Sequence, residues 1–154
     1  MRDFNDADRK KKSRRIRLPD NPGNLSGEAL SRLEDAVKAA GKDGHITCPS
    51  GWKLSQDNCV SRLDVGAMID KLGLRVTDCQ LGCFKVDKTP FKGSAAGPIG
   101  EEVASRVETL HTNGELTCVN AFALARELNV SPMSVADAAN IQGYKVRQCQ
   151  LGCF

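Results

Sequence analysis

A chain of 154 residues, 40 % hydrophobic and 27 % charged, has the composition of a soluble globular protein and room for one ordinary domain or two small ones. No apolar run approaches the roughly 18 residues that a membrane span needs, so no membrane partner is expected, and the charged N-terminus lacks the apolar core of a secretory signal. A cytoplasmic location follows as the expectation, and there the seven cysteines are read as thiols or metal ligands before disulfides.

The formal net charge of +3 is unevenly spread. Residues 1–17 hold eight basic and three acidic side chains, net +5, and residues 18–154 hold fourteen and sixteen, net −2. Arg9, Lys10, Lys11, Lys12, Arg14, Arg15 and Arg17 fall within nine positions. Residues 1–25 are expected to form a disordered basic arm, because a segment with so little apolar content cannot bury enough surface to order itself. Such an arm attracts phosphates through counterion release, or serves only as a solubilising tail.

The next elements build a first module, 26–84. Ser26 can cap a helix whose apolar face is Leu30, Leu33, Val37 and Ala40. "KDG" breaks it, and Thr47 is placed to cap a second helix. A third helix runs to Gly73, and "LRV" reads as a short strand leading into Cys79-Gln80-Leu81-Gly82-Cys83-Phe84.

That hexapeptide recurs as residues 149–154, and a shift of 70 aligns 44–84 with 114–154 without a gap. Fifteen of 41 positions are identical, six of them in the hexapeptide. The chain therefore reads as a duplication, with a linker at 85–98 rich in Gly, Pro, Ala and Lys and a second module at 99–154. In the second copy Val103, Val107 and Leu110 share one helical face, and "TNG" ends that helix. Thr117 caps the next, whose expected apolar face is Phe122, Ala125 and Leu128, with Leu124 beside it. Ser131-Pro132 opens the last, which turns Val135, Ala138 and Ala139 inward and ends at Gly143. "YKV" is the matching strand.

The stretch "FALARELNVSPMSVADAA" resembles a helix-turn-helix: a small residue, Ala125, where two helices cross, then Asn129 in the turn, with Val130 and Val135 filling the angle. The first module matches less well, with Cys59 in place of Asn129. The expected fold is thus mostly α, two tandem three-helix helix-turn-helix-like modules, each with a short C-terminal strand. The resemblance implies double-stranded DNA as a partner, with the third helix of each module as the reading element. Its residues argue against base readout. "SRLDVGAMIDKLG" offers Arg62 and Lys71 beside Asp64 and Asp70, and "SPMSVADAANIQG" has no basic residue. Backbone contact through the arm and linker, with Arg62, Arg75, Lys145 and Arg147, is the form of DNA binding the charges allow.

Each module carries three matching cysteines, Cys48, Cys79 and Cys83 in the first and Cys118, Cys149 and Cys153 in the second. Cys59 has no counterpart. A Cys-x3-Cys pair with a distant third cysteine matches neither a zinc finger nor a ferredoxin run. Thiolates are nevertheless favoured at the helix starts that Cys48 and Cys118 occupy, and three per module could hold zinc or an iron–sulfur cluster. Equally, cysteine packs as a small hydrophobe, and the hexapeptide then reads as the strand that closes each core. Paired carboxylates, a glycine-rich phosphate loop and a clear nucleophile–base pair are all missing from the sequence, so no enzyme is expected. The sequence points to a regulatory or adaptor protein binding nucleic acid or a protein partner. The alternatives are a metal or redox sensor and a purely structural interaction module.

Overall fold

A computed structural model describes residues 18–83 and 98–154. The described residues are mostly helical, with six helices and one two-stranded parallel sheet. The chain divides into two compact units. The first contains the described residues up to Cys79 together with Gln150–Phe154, and the second contains those from Gln80 to Cys149.

The first unit holds α1 (Gly27–Ala40), β1 (His45–Thr47), α2 (Cys48–Asp57), α3 (Arg62–Lys71) and β2 (Arg75–Thr77). The expected caps are present. Ser26 Oγ accepts from Ala29 N, and Thr47 Oγ1 accepts from Ser50 N. α3 begins with a reciprocal capping box, in which Ser61 Oγ accepts from Asp64 N and the Asp64 carboxylate accepts from Ser61 N. Between α2 and α3 the chain turns through Cys59 at φ +53, and Val60 N donates to Ser55 O. Gly73, at φ +69, stops α3. Leu33 and Val37 of α1, Val65, Met68 and Ile69 of α3, and Ile46 and Val76 of the strands are buried.

β1 and β2 run parallel, His45 opposite Arg75 and Thr47 opposite Thr77. A parallel pair needs a long crossover, which α2 and α3 supply. The strand expected at 74–76 lies one residue later, and its partner β1 had no sequence signal beyond the Thr47 cap.

The second unit holds α4 (Pro98–Thr112), α5 (Cys118–Glu127) and α6 (Pro132–Ile141). Thr117 and Ser131 cap α5 and α6, and Asn129 takes the left-handed conformation in the turn at φ +53. The buried face of α5 is Cys118, Ala121, Leu124 and Ala125, not the expected Phe122–Ala125–Leu128 face, of which Phe122 and Leu128 are half-buried. The reason is the cap: Thr117 fixes Cys118 in the first turn, and spacings of three and four then lead to Ala121 and Ala125. The expected "YKV" strand shrinks to a single parallel bridge between Thr117 and Arg147, at the positions of the repeat that match Thr47 and Thr77.

Residues 18–25 fall within the expected disordered arm, yet they are fastened to the first unit. Gly23 N donates to Asp64 Oδ1 at 2.6 Å, and Asn21 closes a local turn by accepting from Leu25 N and donating to Leu25 O. The part of the arm that carries Arg9 to Arg17 lies outside the described residues, as does most of the expected linker.

Candidate functional site

Among the described residues neither copy of the hexapeptide is a strand. Asp78 and Gln148, just before each copy, sit at φ +52 and +53, and Gly82 and Gly152 follow at φ +70 and +71. Two left-handed positions four residues apart cannot belong to an extended segment. Each copy instead forms a turn over Gln80–Leu81 or Gln150–Leu151. The closing strand expected here is therefore a closing turn.

The turn of the second copy is seated in the first unit. Leu151 is buried against two glycines in the interiors of different helices, Gly51 of α2 and Gly66 of α3. A Cβ on Gly51 would lie 3.0 Å from Leu151 Cδ1, and one on Gly66 would lie 2.7 Å from the Leu151 carbonyl carbon. Both helices thus lack side chains where the tail's side chain and backbone come in. Arg62 completes the seat. Its guanidinium lies 3.5 Å from the centroid of the Trp52 ring, and its Nη1 donates to Gln150 Oε1. A cation held over an aromatic face adds roughly 0.5–2 kcal/mol, more as water is removed. Leu18 covers Gly152 on the far side, where a Cβ would come within 2.5 Å of Leu18 Cδ1.

The turn of the first copy belongs to the second unit. Leu81 is buried, and Gly82 lies against Met133 at the start of α6, 3.3 Å from Cγ for an added Cβ. The positions that match Gly51 and Gly66 are Ala121 and Ala136, both buried. The same Gln-Leu-Gly thus meets Gly51 and Gly66 in one unit and Met133 in the other, where the residues at the matching helix positions are alanines. Sequence reasoning missed Gly51, Gly66, Trp52 and Gln150 as parts of one site. The signal was present, since a glycine inside a helix costs about 1 kcal/mol relative to alanine and two of them point to a close approach.

The cysteines follow the same division. Cys48 and Cys79 are buried and Cys153 half-buried in the first unit. Cys118 is buried, Cys149 half-buried and Cys83 exposed in the second. Cys48 and Cys118 do occupy helix starts. Among the described residues no three His, Cys, Asp or Glu side chains are grouped so as to hold a metal ion. The unmatched Cys59 is exposed in the α2–α3 turn.

Of the basic residues read as nucleic-acid contacts, Arg62 is turned onto Trp52 and Gln150. Arg75 is half-buried in β2. Lys145 and Arg147 are exposed, and the Arg147 backbone is held by donation to Leu116 O and acceptance from Cys118 N. Leu63 and Ile141 are large apolar residues exposed on the third helices. No described helix is long and apolar enough to cross a membrane. Comparison with protein-family models, curated proteins and solved structures gives no significant match.

Proposed function

We propose that the chain is a non-enzymatic regulatory or adaptor protein made of two duplicated helix-turn-helix-like modules, and that its contact with nucleic acid is with the phosphate backbone. The observation that carries this reading is the placement of Arg62. It is the one basic residue in the first turn of either third helix, where base contacts are made in DNA-reading helix-turn-helix proteins. Its charge lies over Trp52 and its hydrogen bond goes to Gln150. Asp64, two residues on, is buried and engaged with Gly23 and Ser61. In the second unit the exposed end of α6 presents Asn140 and Ile141. Exposed Ile141 suits a protein partner better than a base edge, and Asn140 is the one base-reading donor type within that end of the helix, at its C-terminal rather than its N-terminal turn. Nucleic-acid affinity then rests on the basic cluster at Arg9 to Arg17 and on Lys145 and Arg147.

The test is a salt series of binding to labelled duplexes of unrelated sequence. The reading expects similar affinity for all of them and a log–log salt slope that flattens when residues 1–17 are deleted, because fewer counterions are then released. A duplex preferred by about a thousandfold over the others, with the preference lost in Arg62→Ala, would overturn it.

A further inference from the structure

We propose that the seat formed by α2 and α3 accepts the Gln150–Leu151–Gly152 turn of a second copy of this chain, so that two copies assemble by exchanging C-terminal tails. Three observations carry it. The tail is a ligand supplied from far along the chain, since Arg62 and Gln150 are 88 residues apart in sequence. The seat is specific for a chain reversal at this point, because Gly66 leaves room for the Leu151 backbone and Gly51 for its side chain. The exchange is also reciprocal within one chain: the first hexapeptide's turn belongs to the second unit and the second hexapeptide's turn to the first. Each core is therefore completed by a segment that its own helices do not supply. A segment of that kind makes the same contacts whichever copy it comes from, and exchange of an identical element is a low-cost route to association.

The balance between the two forms is one of concentration. A tail tethered to its own chain competes at an effective concentration on the order of millimolar, so single chains dominate in dilute solution. Exchange is favoured at high protein concentration, or when a chain's own tail cannot seat. This inference does not depend on the nucleic-acid reading.

Two full-length variants test it. Gly66→Val blocks the seat and leaves the tail intact, and Leu151→Asp disables the tail and leaves the seat intact. Each alone should run as a monomer in native mass spectrometry. Mixed at about 1 mM, they have one working tail and one working seat between them, and a 1:1 complex should appear that neither forms alone. Two folded monomers that do not associate in the mixture would overturn the proposal. If either variant fails to fold by circular dichroism, wild-type chains carrying light and heavy nitrogen are unfolded, mixed and refolded at the same concentration. Dimers of mixed mass that vanish in Arg62→Ala support tail exchange. Monomers alone, or mixed dimers indifferent to Arg62→Ala, refute it.

Discussion

Gly66→Ala probes the tail seat most sharply. An added Cβ would lie 2.7 Å from the carbonyl carbon of Leu151 and 3.2 Å from its Cα, and closer still to the carbonyl oxygen. All three are backbone atoms, so no rotamer change relieves the clash. Two effects oppose each other. Alanine is favoured over glycine inside a helix by about 1 kcal/mol. Retaining the turn under strain costs about 1–3 kcal/mol, and releasing it exposes Leu151, whose burial contributes about 1.5–3 kcal/mol. Subtracting the alanine gain leaves the first unit less stable by about 0–2 kcal/mol on the strained route and about 0.5–2 kcal/mol on the released one. Urea denaturation followed by tryptophan fluorescence reads this directly. Trp52 is the only tryptophan in the chain and has the Arg62 guanidinium 3.5 Å from its ring centroid. Release of Gln150 would loosen Arg62 and shift the emission. Gly27→Ala is the control, because a Cβ there meets nothing within 4 Å. A Gly66→Ala protein as stable as its parent, with unchanged Trp52 emission, would refute the seat.

Other perturbations separate the two units and their fastenings. Leu151→Ala and Leu81→Ala remove fully buried side chains, and each should cost about 2–5 kcal/mol by chemical denaturation, with Trp52 emission responding to the first only. Asp64→Ala deletes a buried carboxylate that accepts from Gly23 N, Ser61 N and Ser61 Oγ. It should destabilise by about 2–3 kcal/mol and free the 18–25 segment to proteolysis, as loss of hydrogen bonds to a charged group does. In the second unit, Arg106 of α4 holds the Glu127 carboxyl of α5 below the ordinary carboxylate range through a two-pronged hydrogen bond. A carboxyl whose folded pKa is lowered adds stability above its unfolded pKa and loses it as pH falls through the folded one. Glu127→Gln should therefore lower the melting temperature slightly at neutral pH and leave it unchanged in strong acid, the effect being small because both side chains are exposed.

Much of the local structure was legible because it is set by local chemistry. Ser26, Thr47, Thr117 and Ser131 cap helices since their hydroxyls reach backbone amides a few residues on. Gly73, Gly143 and Asn129 mark left-handed positions because they tolerate positive φ. The site was illegible for a different reason. The two hexapeptides are identical, so nothing in them says which set of helices each will meet. The information for the second copy lies in its receiving residues, the glycines at 51 and 66, where the matching positions of the other unit carry alanines. It becomes readable only when both helices are placed together. The surroundings of Arg62 were hidden for a related reason: the sequence shows a basic residue opening a helix, and only the Trp52 ring and the Gln150 side chain show where its charge goes. Asp78 and Gln148 at positive φ are what ended the expected strand; Asp tolerates that conformation better than most residues, but Gln at the matching position does not announce it.

The Gln150–Leu151–Gly152 turn closes the first unit and the Gln80–Leu81–Gly82 turn the second, and nuclear Overhauser contacts from selectively labelled leucine methyls distinguish this from the opposite pairing. The account predicts cross-peaks from Leu151 methyls to the α-protons of Gly51 and Gly66, and from residue 81 none to either glycine. Cross-peaks joining Leu81 to Gly66, with Leu151 contacting neither glycine, would mean that each module closes on its own hexapeptide and would contradict the account.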